Sequence, residues 1–349
     1  MLKGNHNKGV QGNRNGTSNV KEHRSKERLN LPFVGIPSFY RFPVCHDLET
    51  LDADIAFLGV PFDEGTLHRP GSRLAPRCIR DASLRTAPKN GEYFDINRKK
   101  IFLRDLINEN RIWDCGDTDV RYSLPMDTFK NLSNDVATIL SRGAFPVVIG
   151  GDHSITYPIV RAYATDPIDL VVIDGHLDFS DSRMGVTHAS GNPLRRCSEL
   201  SNVRKIVHVG IRGIRLTKKD YDAAIENGNV VITDADLRKH GIVKCLKKAF
   251  PLKNVYVSID VDGLDPVIAP GTSGLEPGGV RYEEAIALFE LLTEHAPIVG
   301  FDINEVNPFL DPSYVTAVLA TNLIMQFLFL ATSARHWRHR KLIPSKQWL

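Results

Sequence analysis

The chain has 349 residues and a mass of 39.0 kDa, and 42% of its residues are hydrophobic and 24% charged. This composition supports a large core and excludes both a predominantly disordered chain and a disulfide scaffold. The net charge is only +3, and residues 1–30 contribute +5 through four Lys, three Arg and two Glu, which leaves −2 for the remainder. A basic nucleic-acid-binding domain is therefore excluded, and we expect no nucleic-acid partner.

The first 30 residues are rich in Gly, Asn, Lys and Arg and contain few apolar residues. This pattern is typical of a disordered basic tail, with a partner-binding arm as the alternative. No apolar segment follows the first basic residues, so we expect no secretory signal. The cysteines are odd in number and widely spaced, which favours reduced thiols in a cytoplasmic protein; they are Cys45, Cys78, Cys115, Cys197 and Cys245.

From residue 31 onward, short apolar runs alternate with amphipathic stretches. The runs predict buried strands at Ile55–Val60, Pro146–Gly150, Leu170–Ile173, Lys205–Val209, Val230–Ile232, Val255–Ile259 and Pro297–Phe301. Helical periodicity predicts helices at Met126–Ser141, Ser154–Ala164, Lys218–Asn227 and Tyr282–His295. Strands that are apolar on both faces and alternate with helices indicate a parallel sheet covered on both sides. Because no long linker divides residues 31–349, we expect a single α/β domain.

The segment 313–333 is apolar around almost all of a helical surface. Its longest apolar run, Leu323–Ala331, is interrupted by Gln326 and is far shorter than the roughly 20 residues that a membrane span needs. We therefore predict a buried core helix and no membrane partner.

Polar residues collect where the predicted strands end, which is where ligands bind in open parallel sheets. After Leu170–Ile173, the residues Asp174, His176 and Asp178 alternate along the chain. Extended geometry places these three side chains on one side. Carboxylates so close together repel each other unless a cation neutralises them, which favours a metal site over a merely polar strand end.

Three other strand ends add candidate residues. His153 follows a Gly-Gly turn, where a hydrogen-bonded turn residue is the alternative to a ligand. Asp260 and Asp262 repeat the two-residue spacing of the first group. Asp302 and Glu305 follow the last strand, and either suits a capping or turn acid, although Glu305 could instead hold a cationic substrate.

Four aspartates and two histidines are more ligands than one Zn²⁺ takes, and they suit two divalent cations that share carboxylates. The mixture of carboxylate and imidazole favours Mn²⁺ or a similar ion over a thiolate-bound metal. Paired metals typically activate a water molecule, so the pattern predicts a hydrolase.

In this order the motifs resemble those of the ureohydrolase superfamily of arginases and agmatinases. They are GGDHS at 150–154, DGHLD at 174–178 and SIDVDGLDP at 258–266, with Glu305 downstream and an agmatinase-type segment at 59–73. The resemblance covers about residues 32–335 and departs at Gly175, where the family usually has Ala. It implies a three-layer αβα fold with a mainly parallel sheet over residues 31–349, and assembly into homotrimers or homohexamers.

The resemblance also implies roles for these residues. One ion, Mn²⁺ or Ni²⁺, would be held by His153, Asp174, Asp178 and Asp260, and the other by Asp174, His176, Asp260 and Asp262. Glu305 would pair with the substrate guanidinium, and Asp178 would also accept a hydrogen bond from the attacking water species. His188, ten residues after Asp178, would carry a proton to the departing nitrogen, with a surface loop histidine as the alternative.

The reaction implied is hydrolysis of a guanidino compound to urea and an amine or ammonia, and agmatine, which yields putrescine and urea, is the first substrate expected. Residues 188–196 read HASGNPLRR, which departs from the usual agmatinase pattern and is closer to a subgroup associated with nickel-dependent hydrolysis of guanidine. A guanidino acid such as guanidinobutyrate is a further alternative, in which Arg183, Arg195 and Arg196 would bind the substrate carboxylate; arginines that are solvated or paired with acids are the alternative for these three. Whichever the substrate, the expected contacts are Glu305, His188, Asp181 and Arg183. A non-catalytic metal-binding scaffold is the alternative of another class, and the complete ligand set argues against it.

Overall fold

The structure is a computed structural model that describes residues 31–163, 167–337, 342–345 and 347. The chain divides into two units, Met1–Ile36 and Pro37–Leu349, and every strand and helix named below belongs to the second. The predicted basic tail, residues 1–30, lies outside the described residues.

The strands in the described part of the chain are β1 (Ile55–Gly59), β2 (Tyr93–Asp95), β3 (Lys100–Phe102), β4 (Ile112–Asp117), β5 (Phe145–Ile149), β6 (Ile168–Ile173), β7 (Val203–Ile211), β8 (Val230–Thr233), β9 (Val255–Asp260) and β10 (Ile298–Asn304). The α-helices are α1 (Ala75–Ser83), α2 (Arg104–Asn108), α3 (Pro125–Ser141), α4 (Thr156–Arg161), α5 (Pro193–Ser198), α6 (Lys218–Glu226), α7 (Asp234–His240), α8 (Ile242–Lys247), α9 (Tyr282–His295) and α10 (Val315–Ser333).

Every predicted strand and helix is confirmed, with small displacements at the ends. The largest changes are at β7, which extends Lys205–Val209 by two residues on both sides, and at β10, which ends three residues after Phe301. At α4 the predicted start is a 3-10 turn at His153–Ile155, and the predicted end, Ala164, lies outside the described residues. Sequence reasoning missed β4 and the antiparallel hairpin of β2 and β3. β4 has Asp114 between apolar residues, and β2 and β3 are three residues long with a charged residue at one end. None of them has the continuous apolar run by which the central strands were recognised.

Eight strands form one sheet in the order β4-β1-β5-β10-β9-β6-β7-β8, and all their pairings are parallel. A row of isoleucines crosses the four central strands at the same level: Ile149 of β5, Ile303 of β10, Ile259 of β9 and Ile173 of β6. The residues that follow them are Gly150, Asn304, Asp260 and Asp174. The register therefore brings the predicted ligands of β9 and β6 side by side.

Two hydrophobic clusters lie on opposite faces of the sheet. One includes Phe57 and Phe301 and is covered by α1 and α7–α10. The other includes Leu58 and Tyr256 and is covered by α3–α6. Neighbouring residues of one strand belong to different clusters, because successive side chains of a strand point to opposite faces. This arrangement is the predicted three-layer αβα architecture.

The predicted core helix is α10. It has the length and hydropathy of a membrane span, and it is the one helix of the described residues that does. Most of its side chains are buried, and they pack in the same cluster as those of α1 and α9. The hydroxyl of Tyr40, which is fully buried, donates a hydrogen bond of 2.8 Å to the backbone oxygen of Thr321 in this helix. The prediction of a buried core helix is confirmed.

Candidate metal centre

The carboxyl ends of β5, β9 and β6 bring all six predicted metal ligands together at one edge of the sheet. Their ligand atoms form two groups, and the atoms of each group lie within 4.8 Å of one another. The first group is His153, Asp174, Asp178 and Asp260, and the second is Asp174, His176 and Asp262. Asp174 is shared, as predicted. Asp260, predicted as a ligand of both ions, belongs to the first group, so its bridging role stays a prediction.

His153 is the centre of the first group. Its Nδ1 atom lies 2.9 Å from Asp178 Oδ2, 3.2 Å from Asp174 Oδ2 and 3.5 Å from Asp260 Oδ2. The imidazole is fully buried. One nitrogen has at most one proton to donate, so it cannot satisfy three carboxylates at once. A cation among these four groups would satisfy all of them.

The other side of the His153 ring is fixed by a chain of hydrogen bonds. Nε2 lies 3.2 Å from Ser258 Oγ, and this hydroxyl donates a 2.5 Å hydrogen bond to Asp302 Oδ1. Ser258 therefore accepts the Nε2 proton, which leaves the Nδ1 lone pair directed at the carboxylates. Asp302 also accepts a 2.8 Å hydrogen bond from the hydroxyl of Tyr256. Such outer partners select the tautomer and orient a metal-binding histidine.

In the second group, His176 and Asp262 face each other. Their Nδ1 and Oδ2 atoms are 3.0 Å apart, and Nδ1 is 3.7 Å from Asp174 Oδ1. The other oxygen of Asp262 accepts a 3.1 Å hydrogen bond from the backbone N–H of Gly175. The Cβ of an alanine at position 175 would lie 3.1 Å from the backbone oxygen of Asp262, so glycine gives this approach more room.

Burial and crowding make this cluster electrostatically unfavourable by itself. Burial and the carboxylates of Asp178 and Asp262 raise the pKa of Asp174 to about 8. Burial and neighbouring carboxylates also raise the pKa of Asp260 well above its usual value. Burial alone would lower the pKa of His176, but the surrounding carboxylates raise it to about 10. Each shift reduces the net negative charge, which indicates that the cluster needs positive charge.

The donor set fits two divalent cations. Four ionised aspartates carry a charge of −4, which two such ions neutralise. Asp174 Oδ2 is buried and has no hydrogen-bond partner among the described residues, although it faces His153 Nδ1. Carboxylate and imidazole ligands suit Mn²⁺, Ni²⁺ and Co²⁺. The residues present therefore match the predicted cofactor class.

Two residues of the site have strained backbone conformations. Asp178 and Glu305 have φ values of 46° and 64°, in the left-handed region that non-glycine residues rarely adopt. Gly151 lies so close to the neighbouring loop that a Cβ atom would come within 1.7 Å of the backbone oxygen of Phe62. Strained residues of this kind persist where the surrounding structure holds them, and they cluster at functional sites.

A cavity of about 90 Å³ opens over the metal ligands, and Glu305 lies in its lining. Glu305 Oε1 accepts a 3.0 Å hydrogen bond from the backbone N–H of His153. Its Oε2 atom is buried and has no hydrogen-bond partner among the described residues. Burial and the nearby carboxylate of Asp152 hold the pKa of Glu305 well above its ordinary value. An unpaired carboxylate beside a cavity is suited to binding a cation.

The sequence matches the Arginase family over residues 53–330, a span that contains every predicted ligand and Glu305. The chain belongs to the arginase family.

Its similarity to individual members of the arginase family is moderate and extends over most of the chain. It is 35% identical over 321 residues to the mitochondrial agmatinase of Gallus gallus, covering 87% of this chain and 91% of the relative. It is 33% identical over 302 residues to the mitochondrial guanidino acid hydrolase of Homo sapiens, covering 84% of this chain and 82% of the relative. A crystal structure of Trypanosoma cruzi formiminoglutamase with Mn²⁺ aligns with a TM-score of 0.70 at 25% identity, covering 81% of this chain and 95% of that one.

Two residues of the predicted arginase-family substrate site lie elsewhere in this structure. His188 packs against the rings of Phe129 and Tyr157, with centroid distances of 6.2 and 5.5 Å, and is not among the residues that line the cavity. Burial, and next the charge of Arg196, lower its pKa. Asp181 is exposed and pairs with Arg196 at 2.7 Å, so its carboxylate is directed to the surface. The structure shows these two side chains outside the cavity lining, and their roles stay predictions.

The predicted substrate residue Arg183 does line the cavity. Two arginines further along the chain, Arg195 and Arg196, both pair with Glu199, at 3.4 and 3.0 Å. The guanidinium of Arg195 also lies over the ring of Phe179. Of these three arginines, Arg183 is therefore the one available to a substrate.

Sequence reasoning missed four residues of the site. Arg212 donates to six backbone oxygens, those of Gly210, Asp262, Gly263, Leu264, Glu276 and Pro277, and so holds the loop 261–280 against the end of β7. Glu276 lies against His176, and Arg215 and His68 line the cavity. These residues lie in loops, where no regular spacing of residue types identifies them. The one available signal in the sequence is the run of Gly and Pro residues at 270–279, which indicates an irregular loop.

Proposed function

We propose that this arginase-family protein hydrolyses a guanidino compound to urea and an amine or ammonia, using two divalent cations held by the two ligand groups. The observation that carries the proposal is the buried Oε2 atom of Glu305, which has no hydrogen-bond partner among the described residues, in a side chain that lines the cavity together with Asp178, Asp260 and Asp262. Agmatinase and guanidino acid hydrolase among the similar proteins support the same reaction class.

The substrate guanidinium would bind through Glu305. A guanidinium presents parallel N–H groups that match a carboxylate, and the resulting hydrogen bonds are charge-assisted. Burial strengthens this contact because little water competes for the carboxylate. Since Oε1 is already fixed by the backbone N–H of His153, the carboxylate also orients the guanidinium relative to the metal ligands.

The metal pair would supply an activated water molecule, as binuclear hydrolase sites do. His153 and His176 present nitrogen ligands, and Asp178, at the cavity wall, is placed to accept a hydrogen bond from that water. We propose Mn²⁺ or Ni²⁺ as the ion, with Mn²⁺ supported by its presence in the crystal structure of the similar formiminoglutamase.

The leaving nitrogen must gain a proton. His188 was predicted for this step, and His68 is an alternative because it lines the cavity without belonging to either ligand group. Replacing the residue that donates the proton should lower kcat by about 10²–10⁴-fold and change KM much less. Comparing kcat for His68→Asn and His188→Asn decides between the two residues.

The charges at the cavity favour a substrate with a carboxylate tail over agmatine, the substrate first expected from the sequence. Arg183 and Arg215 both line the cavity; Arg215 lies 3.7 Å from Glu276, whereas Arg183 forms no ion pair with any residue that the structure describes. Besides Glu305 and the metal ligands, the lining contains the acid Asp220, which accepts hydrogen bonds from Ser180 and Thr217. Arg183, with Arg215 nearby in the lining, would attract a carboxylate and repel the ammonium group of agmatine.

Urea release by the purified protein tests the proposal, with Mn²⁺ or Ni²⁺ loaded in parallel and guanidinobutyrate, guanidinopropionate, agmatine, guanidine and arginine as substrates. We expect turnover of a guanidino acid and its loss in Asp260→Asn, which retains shape but removes a ligand charge. Preferred turnover of agmatine would support agmatinase activity and refute the role of the arginines. Turnover of guanidine alone with Ni²⁺ would support a guanidine hydrolase. No urea from any substrate with two ions bound would favour a non-catalytic scaffold.

We also propose a homo-oligomer, a trimer or hexamer, in the cytoplasm. The family resemblance supports the assembly. Five buried cysteines without a disulfide support a reducing compartment. Light scattering and fractionation of cells test these two properties separately.

A further inference from the structure

The two nitrogens of His176 face different surroundings. Nδ1 lies towards the second ligand group, 3.0 Å from Asp262 Oδ2. Nε2 lies on the opposite side of the ring, 3.3 Å from Glu276 Oε1. Glu276 is largely buried, with 13% of its side chain exposed, and it comes from the loop 261–280. His176 is thus placed between a ligand group and a carboxylate that belongs to neither group.

The loop is fixed closely against the imidazole. A Cβ atom at Gly274 would lie 3.1 Å from His176 Cε1 and 2.2 Å from Asp262 Oδ2, so the loop backbone passes close to both side chains. A Cβ atom at Gly213 would lie 3.2 Å from Glu276 Oε1. Arg212 anchors the backbone oxygen of Glu276 at 3.1 Å. The position of the Glu276 carboxylate is therefore set by the loop backbone as well as by its own contacts.

A second group approaches the same nitrogen. Arg215 Nη2 lies 2.7 Å from His176 Nε2, and Arg215 Nε lies 3.7 Å from Glu276 Oε1. A neutral imidazole has one donor and one acceptor nitrogen. If Arg215 donates to Nε2, the ring proton is on Nδ1 and points at Asp262. If Glu276 accepts from Nε2, the Nδ1 lone pair is available to an ion. The two contacts select opposite tautomers.

We propose that Glu276 is a positioning residue for the second metal ion. It accepts the Nε2 proton of His176 and so directs the Nδ1 lone pair at the ion. An ion bound at Nδ1 would leave the ring proton on Nε2, so Arg215 would no longer donate to that atom and would contact Glu276 alone. The inference rests on the proposed function for its two-ion site, but it concerns metal affinity and can be tested without turnover.

The test is titration of the metal-free protein with MnCl₂ by calorimetry, and with CoCl₂ by visible absorption. Outer hydrogen-bond partners of metal-binding histidines typically contribute 10- to 100-fold in affinity. We expect Glu276→Ala to weaken the second ion by that factor and leave the first unchanged. Glu276→Gln should restore most of the affinity, because its amide oxygen can still accept the Nε2 proton. The Co²⁺ absorption of the second ion should weaken and recover in parallel.

Arg215→Met is the matched control, since it removes the other group that contacts Nε2 and the ion pair with Glu276. We expect it to bind the second ion with at least wild-type affinity. Unfolding in EDTA, followed by circular dichroism, should give all three variants a free energy of unfolding close to that of the wild type.

Three results would overturn the proposal: unchanged affinity in Glu276→Ala, no recovery in Glu276→Gln, or equal weakening in Arg215→Met, which would mean that the ion pair merely holds the loop. A wild type that binds two ions and releases no urea would contradict the proposed function and leave the role of Glu276 to be decided by the titrations.

Discussion

Replacing Glu305 by Gln should reduce activity and increase stability at the same time. The variant keeps the size of the side chain and the acceptor for the His153 N–H, but it removes the charge that would pair with the guanidinium. Removing one partner of a buried charge pair costs about 2–5 kcal/mol. At about 1.4 kcal/mol per factor of ten, kcat/KM should fall by about 30- to 5,000-fold.

The stability effect follows from the same carboxylate. Burial raises the pKa of Glu305 well above its ordinary value, so ionising it costs more free energy in the folded protein than in the unfolded chain. The metal-free protein therefore loses stability as the pH rises from the ordinary glutamate pKa towards the raised value. Gln has no charge to bury, so we expect the free energy of unfolding at pH 7 to increase by about 1–3 kcal/mol.

The two effects are measured by urea release with the metal-loaded protein and by chemical denaturation in EDTA. Glu305→Asp is the control, because it keeps the charge but withdraws the carboxylate from the cavity. It should lose activity without gaining stability. The reasoning is refuted if Glu305→Gln retains kcat/KM within about threefold, or if it unfolds more easily than the wild type in EDTA.

Three further predictions concern the metal ligands and their supporting loop. Ser258→Ala should leave the Nε2 proton of His153 without an acceptor and weaken binding of the first ion by about 10- to 100-fold. Calorimetric titration with Mn²⁺ measures this affinity, and an unchanged value would contradict the role of the hydrogen bonds from His153 through Ser258 to Asp302. The pKa values of Asp174 and His176 are raised to about 8 and about 10 without metal, and both groups must lose a proton to bind an ion. Mn²⁺ affinity should therefore rise with pH between 6 and 8, by up to tenfold per unit for each proton displaced; a flat profile over this range would oppose this. Arg212→Met should lower the free energy of unfolding by about 3 kcal/mol or more, since several backbone oxygens lose a charged hydrogen-bond donor. A denaturation midpoint equal to that of the wild type would disprove the role of Arg212 in holding the loop 261–280.

The ligand cluster was the most predictable part of the molecule. Successive side chains of an extended segment point to opposite sides, so the spacing in the sequence determines which residues lie on the same side of the chain. The carboxyl ends of parallel strands meet at the same edge of the sheet. These two rules suffice to bring Asp174 and Asp260 together, and the register shows them directly after paired isoleucines. The buried strands were predictable for a related reason, because their apolar runs are continuous.

The loops were less predictable, because their backbone conformation decides where side chains point. His188 and Asp181 were assigned by position within a motif, yet their loop directs one against aromatic rings and the other to the surface. Glu276 and Arg212 act through contacts with segments about 100 and 50 residues away. No spacing within one sequence encodes such contacts, because they depend on where the sheet places each loop.

The strand order has a consequence for how the protein is made. β10 is the last strand of the sheet to leave the ribosome, yet it lies in the middle of the sheet, between β5 and β9. Until residues 298–304 are available, the sheet consists of two halves, β4-β1-β5 and β9-β6-β7-β8, each with an unpaired and apolar edge. Such edges promote aggregation. A nascent chain in which β9 has been synthesised but β10 has not should therefore depend most on chaperones. Insertion of β10 between β5 and β9 also brings Glu305, which follows β10, to the metal ligands.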